Sequence, residues 1–145
     1  MLLILTNKKS GSVSKERVTQ EIKKGLAEQK IKSEIRRIND AEFFLEKNCV
    51  RVLLKNKPLE KYNMIYFRKA SGLPNASFII SEMARRTGIH FIDRFRAHTN
   101  IRGKLIQMFL FALNSMPIPK TYYTPEYTDG KIRSAVAFLK TPTIA

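Results

Sequence analysis

Residues 2–38, LLILTNKKSGSVSKERVTQEIKKGLAEQKIKSEIRRI, decide the fold. The aliphatic run 2–6 ends in a polar loop, which is typical of a buried strand. Val18, Ile22 and Leu26 then recur at helical spacing and predict an amphipathic helix. The β-branched end of the stretch indicates a second strand. A strand, a helix and a strand within about 40 residues form a βαβ unit, whose two strands are usually parallel neighbours.

Working outward from this unit, apolar patterning predicts five further elements and a final strand. They are strands at 50–54 and 62–68, a helix from Ala76 that stops before Gly88, a short strand at 89–93, a helix at 101–114, and a terminal strand SAVAFLKT after a tight turn at Asp129-Gly130. This order predicts an α/β fold with an open, mainly parallel sheet flanked by helices, of the Rossmann-like kind. Ligands of such sheets bind beyond the carboxyl ends of the strands. We therefore expect the loops after Thr6, Arg68 and Asp93 to line any site.

The chain is strongly basic, with 27 Lys and Arg against 12 Asp and Glu in 145 residues, a formal net charge of +15. This surplus favours anionic partners such as nucleic acid, phosphates or acidic peptides, although it can also serve solubility alone. Cys49 is the only cysteine, which excludes a disulfide framework and fits a reducing cytoplasm. His90 and His98 have no neighbouring cysteine or carboxylate cluster, so no metal site is expected.

The stretch 103–124, GKLIQMFLFALNSMPIPKTYYT, is the least charged part of the chain. Its apolar run is shorter than the roughly 20 residues that a bilayer requires, so we expect no membrane span. The lack of charge around the helix predicts burial on more than one side. If a covering part of the protein is missing, Phe109 and Phe111 should be partly exposed, and the helix segment Leu105–Leu113 offers a surface for a second copy.

The segments of the second half, taken in order, resemble a known family. YNMIYFR, a helix, HFID, a helix with KLIQ, MPIPKT and AVAFLK are similar in order and spacing to the N-terminal part of ATP-grasp carboxylate-amine ligases, especially the ribosomal-protein glutamate ligase branch. The resemblance implies a pre-ATP-grasp α/β domain at residues 1–97. It also implies a linker helix and the start of an incomplete ATP-grasp domain at 98–145, with Ala135–Lys140 as a strand.

The resemblance also implies roles for individual residues. Lys104 and Lys140 match the two nucleotide-contacting lysines of the family, and Arg68 would face an acidic substrate or the interdomain cleft. The complete family enzyme uses ATP and Mg²⁺. Independently of the family, Ser10 and Ser12 lie between a strand and a helix N-terminus, where backbone N–H groups can receive an anion or the serines can simply cap the helix.

The sequence also departs from the family pattern. Gly103 stands where an acidic residue is usual, and neither the glycine-rich lid nor the later Mg²⁺-binding residues occur before Ala145. We therefore assign no catalytic or metal-binding residue and expect no tight nucleotide binding by these residues alone. The expected protein is a truncated, split or degenerate N-terminal part of a ligase, whose partners are an acidic protein or peptide substrate and a missing C-terminal half.

Two alternatives of other classes remain open from the sequence. The charge, with pairs such as Arg36-Arg37 and Arg85-Arg86, also fits a non-enzymatic basic α/β module that binds RNA, DNA or a ribonucleoprotein surface. A structural assembly subunit is the other alternative.

Overall fold

The computed structural model describes residues 1–7, 13–68, 73–92 and 103–140, and for residues 13–16 the backbone only. In chain order the elements are β1 (Leu2–Thr6), α1 (Val13–Glu28), β2 (Ser33–Arg37), β3 (Ala41–Glu46), β4 (Cys49–Leu54), β5 (Lys57–Pro58), β6 (Met64–Phe67), α2 (Pro74–Arg86), β7 (His90–Ile92), α3 (Lys104–Leu113), β8 (Thr121–Tyr123) and α4 (Asp129–Leu139). Short 3₁₀ turns at Ile38–Asp40 and Leu59–Lys61 flank the middle strands.

A parallel sheet forms the first half of the fold. Within the described residues it has four strands in the order β2-β1-β6-β7, and all its pairings are parallel. Leu3, Ile4 and Leu5 in the central strand β1 are fully buried. A parallel strand in this position is covered on both faces, which explains why its sequence is a continuous aliphatic run. The predicted βαβ unit is therefore confirmed.

The residues between β2 and β6 form most of a second sheet, which we did not predict. In the described chain this sheet is antiparallel and has the order β5-β4-β3-β8. Asn48 and Asn56, with φ of 64° and 62°, lie in the tight turns of its two hairpins, a conformation that asparagine tolerates well. The strand predicted at 50–54 is confirmed within β4, but β3 was missed.

One hydrophobic core joins both sheets to the helices α2 and α3. Fully buried aliphatic and aromatic side chains come from β1, β3, β4, β6 and the two helices, among them Leu5, Phe43, Ile65, Ile79 and Phe109. The ring of Phe109 meets that of Phe78 edge to face, with centroids 6.2 Å apart. The α/β class with a mainly parallel sheet is thus confirmed, and the antiparallel sheet is an addition to it.

A polar cluster fastens the edge strand β2 to the segment that leads into β6. The Glu34 carboxylate accepts hydrogen bonds from Lys57 Nζ at 3.0 Å and from the Tyr62 hydroxyl at 2.8 Å, and it pairs with Arg36. Burial alone would raise the pKa of Glu34, but these hydrogen bonds and the two positive charges outweigh it and lower the pKa. The cluster therefore favours the ionised carboxylate between the two sheets.

The predicted terminal strand is wrong, because residues 134–139 belong to helix α4. Asp129-Gly130 is not a hairpin turn but the first turn of this helix, where the Thr128 hydroxyl accepts a hydrogen bond from the Lys131 N–H. The spacings of four and three residues between Lys131, Ala135 and Phe138 place these side chains on one face of the helix. The Phe138 ring packs against Phe44 of β3 at 5.2 Å, and this contact belongs to the helical arrangement.

Side chains of residues 103–140 contribute to the same core as the earlier ones. Ile106 and Phe109 of α3 are buried in it, and β8 pairs with β3. The predicted boundary between residues 97 and 98 therefore does not separate two hydrophobic cores. The assignment of residues 98–145 to the start of an ATP-grasp domain stays a prediction.

The predicted partial exposure of Phe109 and Phe111 on α3 is found for one of the two residues. Phe111 is 38% exposed and Leu110 is equally so, whereas Phe109, which we expected to be partly exposed, is fully buried. A second copy on this face stays a prediction. No helix among the described residues is long and apolar enough to cross a membrane.

The pair Phe109 and Phe111 allows a matched test of the core. Phe109→Ala should lower the free energy of unfolding by about 3–5 kcal/mol, because it leaves a cavity between α2 and α3. Phe111→Ala, on the exposed face of the same helix, should change it by less than about 1 kcal/mol. Urea unfolding followed by circular dichroism measures both, and equal losses would contradict this placement of α3.

Candidate functional site

The carboxyl edge of the parallel sheet is the first candidate site. The chain leaves β1 towards β2 on one side and leaves β6 towards β7 on the other. The point between β1 and β6 is therefore a topological switch point, where open α/β sheets usually bind their ligands. Thr6 ends β1 there, and Arg68 follows β6 directly.

Arg68 is held at this point by two contacts. Its backbone N–H donates to the Leu5 carbonyl oxygen at 2.8 Å, and its Nε donates to the Thr19 hydroxyl of α1 at 3.1 Å. Among the described residues no carboxylate forms an ion pair with Arg68, and no hydrogen bond there uses the two terminal nitrogens of its guanidinium. A planar guanidinium binds carboxylate or phosphate through two parallel hydrogen bonds.

The other predicted site residues lie elsewhere. Lys104 is the exposed first residue of α3, and Lys140 is the exposed residue that ends α4 in a left-handed conformation, with φ of 52°. The strand on which the match of Lys140 depended is a helix, so that match has lost its structural basis. Ser10 and Ser12 lie outside the described residues. So do residues 8–12, 69–72 and 93–102, which contain most of the loops expected after Thr6, Arg68 and Asp93.

A second candidate site, which we name the α4 cleft, was not predicted. It has a volume of about 560 Å³ and is lined by Arg37, Asp40, Glu42, Lys55, Asn56, Glu126, Thr128, Gly130, Lys131 and Ser134. Cavities of this size commonly hold small molecules. The cleft depends on β3, β8 and α4, and this explains why sequence reasoning without β3 and with a strand at α4 missed it.

Lys131 forms a structural tether in the α4 cleft. Its ammonium donates to the Asn39 carbonyl oxygen at 2.7 Å, to the Thr124 hydroxyl at 3.0 Å and to the Glu126 carbonyl oxygen at 3.1 Å. Burial lowers the pKa of Lys131, and the nearby carboxylates oppose that shift. Because an ammonium has three protons and all three have acceptors here, Lys131 anchors α4 and has no donor left for a ligand.

Glu42 is the most buried charged side chain of the cleft, with 3% exposure. Its Oε2 accepts a hydrogen bond from the Tyr122 hydroxyl at 2.8 Å, a contact between neighbouring strands of the antiparallel sheet. Burial and the adjacent carboxylate raise the pKa of Tyr122 well above the ordinary value of 10.0. The alternation of Glu42, Phe44 and Glu46 along β3 was the available sequence signal for a polar group on this face.

Comparison with protein-family models, with curated proteins and with solved structures gave no match. The described residues also contain no group of three or more His, Cys, Asp or Glu side chains that could hold a metal ion. The functional argument therefore depends on the two sites themselves.

The Tyr122–Glu42 contact predicts a pH-dependent stability. Tyr122→Phe should lower the free energy of unfolding at pH 7 by about 1–3 kcal/mol, because Glu42 loses its donor. The pKa of Tyr122 is higher in the folded than in the unfolded protein. Its hydroxyl therefore contributes fully to the free energy of unfolding below pH about 10, and this contribution is lost as the pH rises further. The deficit of the variant should therefore shrink above pH about 10 in urea titrations.

Tyr127→Phe is the matched control, because Tyr127 is 69% exposed. It should show no deficit at neutral pH, and the comparison is made there because the charge of an ionised Tyr127 contributes to the raised pKa of Tyr122. A Tyr122→Phe deficit that stays constant from neutral to alkaline pH would contradict the assigned contact.

Proposed function

We propose that the protein is the N-terminal part of an ATP-grasp carboxylate-amine ligase. The supporting observation is the succession of element types along the segments that resemble the family. Strand β6 ends at Phe67, directly before Arg68. Helix α2 and the short strand β7 follow, α3 begins at Lys104, and the proline-containing segment leads to β8. The terminal segment does not fit this succession, since a helix stands in place of the strand.

In this proposal Arg68 holds the carboxylate of an acidic substrate at the switch point. The Thr19 hydroxyl fixes Nε, and the terminal nitrogens face the substrate oxygens. ATP with Mg²⁺ would supply the phosphoryl group that activates the substrate carboxylate as an acyl phosphate. An amine would then attack the acyl carbon, form the amide and release phosphate. Lys104 keeps its proposed contact with the nucleotide, and the remaining nucleotide and Mg²⁺ contacts belong to a further part of the enzyme.

The net charge suits such a substrate. An acidic protein or peptide would be attracted to the basic surface before its carboxylate reaches Arg68. This attraction raises the association rate and does not choose the reacting carboxylate. The choice would come from the planar, two-point hydrogen bonding of the guanidinium.

The test is reconstitution. The protein together with the lid-bearing half, encoded downstream or in an adjacent reading frame, should release ADP from ATP with Mg²⁺ and a glutamate-rich peptide, and hydroxylamine should trap the acyl phosphate as a hydroxamate. Arg68→Gln should lower the rate at limiting peptide about ten- to a hundredfold, because a charge-assisted hydrogen-bonded pair is lost. The rate of Arg68→Lys should lie between those of the unchanged protein and Arg68→Gln, since lysine keeps the positive charge but lacks the planar guanidinium.

Arg133→Gln on the exposed face of α4 is the control and should leave the rate unchanged. Because Arg68 also anchors α1, thermal unfolding of each variant must show an intact fold before rates are compared. Absence of any encoded lid and Mg²⁺ carboxylates, or a rate that Arg68→Gln leaves unchanged in a folded protein, would contradict the proposal.

A second candidate function is nucleic-acid binding, and the observation that bears on it is which basic side chains form ion pairs with carboxylates. Glu82 pairs with Arg85 and Arg86, Glu34 with Lys57, and Glu42 with Tyr122. The hydrogen bonds from Arg85 and Arg86 lower the pKa of Glu82 despite its burial. Arg85 and Arg86, which the sequence offered to nucleic acid, are engaged in these pairs, so the candidate surface is the one that carries the exposed lysines of α1.

If this second function holds, affinity for a generic single-stranded RNA should fall steeply between about 50 and 200 mM salt. Lys23→Glu combined with Lys24→Glu, on the exposed face of α1, should reduce the salt slope because two cations are lost from the surface. Filter binding or fluorescence anisotropy measures the slope. An affinity that does not change with salt would exclude this electrostatic mode.

A further inference from the structure

The two faces of the parallel sheet are buried to different extents. Side chains alternate between the faces along each strand. One face points into the shared hydrophobic core and carries Leu3, Leu5, Ile65 and Phe67. Phe91 of β7 extends this face, and its ring centroid lies 6.2 Å from that of Phe67. The core therefore covers this face of the sheet at β1, β6 and β7.

The opposite face is buried at β1 but exposed at β6 and β7. Leu2 and Ile4 point to it and are buried, because α1, which connects β1 to β2, lies over this part of the sheet. Met64 of β6 is in register with Leu2 and is 39% exposed. Ile92 of the edge strand β7 is 52% exposed. The exposed fraction thus rises from β1 to the edge of the sheet.

We name this surface the open sheet face and define it by Met64, Tyr66, His90 and Ile92. The register pairs Met64 with His90 and Tyr66 with Ile92, so the four side chains lie side by side on neighbouring strands. Tyr66 is half-buried and His90 is exposed. None of the four residues is Lys, Arg, Asp or Glu, so the surface is mainly apolar.

A parallel sheet of an α/β protein usually has helices on both faces. A contiguous exposed apolar patch on such a sheet is typical of a docking surface, whereas apolar side chains exposed singly are common. Two strands side by side occupy roughly 10 Å, and a helix with its side chains is about 10–12 Å across. The open sheet face beside α1 therefore has the width of one further helix.

The charge of the chain decides which kind of helix fits. The formal net charge is +15, so a second copy would be repelled and an acidic helix would be attracted. Lys32 and Lys61 are exposed near the amino ends of the strands, and neither forms an ion pair with the described residues. The exposed Glu60 offsets one of these two charges. The local surplus is therefore positive, as it is for the whole chain.

We infer that the open sheet face binds one amphipathic helix of an acidic partner protein. Aliphatic side chains on successive turns of that helix pack on Met64 and Ile92, and its carboxylates lie towards the exposed lysines. Methionine suits such a contact because its flexible side chain adapts to the shape of its partner. This inference does not rest on the ligase proposal, because it uses neither Arg68 nor Lys104.

The probe is a synthetic peptide about 18 residues long, with Leu on one helical face and Glu and Ala elsewhere. It is added to the ¹⁵N-labelled protein, and we expect saturable shifts of the amide signals of Tyr66 and Ile92. A peptide of the same composition in scrambled order lacks the apolar face, and one with Lys in place of Glu is repelled. Each should bind at least about tenfold more weakly.

Met64→Ser combined with Ile92→Ser is the decisive variant. It removes two exposed apolar contacts, so the affinity for the peptide should fall about tenfold or more. Its midpoint of urea unfolding should stay close to that of the unchanged protein, because neither side chain is part of the core. Ile132→Ser is the matched control, since Ile132 is 49% exposed on α4, and it should bind the peptide as the unchanged protein does.

Equal affinity of the double variant and the unchanged protein would overturn the inference, as would equal affinity for the scrambled peptide. A large fall in the unfolding midpoint of the double variant would also overturn it, since the surface would then already be covered within the protein. Two further results would assign the surface to another occupant and reject the acidic helix. One is a dimer of the protein alone that the double variant abolishes. The other is tighter binding to vesicles of phosphatidylcholine and phosphatidylserine than to the peptide.

Discussion

The structure depends on one shared hydrophobic core that buries the inner faces of two different sheets. Leu3 and Leu5 of the parallel sheet, Phe43 and Val52 of the antiparallel sheet, and Phe109 of α3 all belong to it. A four-stranded parallel sheet cannot leave a face in water without losing its apolar burial. The long connection between β2 and β6 therefore does more than join two strands, because it supplies β3, β4 and β5 of a second sheet, whose buried side chains share the core of the first.

The sequence predicted the elements whose burial is decided by local pattern. β1, β6 and α2 carry continuous or periodic apolar residues, and their type is confirmed. β3 was missed because AEFFLEKN looks like a short apolar run between charges, and its strand character comes from pairing with β4 and β8. SAVAFL fits a strand or a helix equally by length, and the Thr128 cap with the Lys131 tether makes it a helix.

One of the two candidate sites could be located from local sequence pattern, and the other could not. Arg68 could be named from the sequence because a residue directly after a parallel strand lies at a known edge of the sheet. Glu42 and Tyr122 are 80 residues apart and meet only because β8 returns to pair with β3. Lys131 and Asn39, which are joined by the hydrogen bond of the tether, are likewise far apart in the sequence, by 92 residues. Contacts of this range carry no local periodicity, so a single sequence gives no signal for them.

The two candidate sites differ in the charges of the side chains that form them. Among the described residues Arg68 forms no ion pair, and the side chain that its Nε contacts there, the Thr19 hydroxyl, is neutral. The α4 cleft is lined by charged side chains of both signs, among them the buried Glu42 and the exposed Arg37 and Lys55. β1 separates the two, since Arg37 is in register with Thr6 on one side while the Arg68 N–H bonds Leu5 on the other. One strand thus lies between the two candidate sites, and their separation follows from where each neighbouring strand ends.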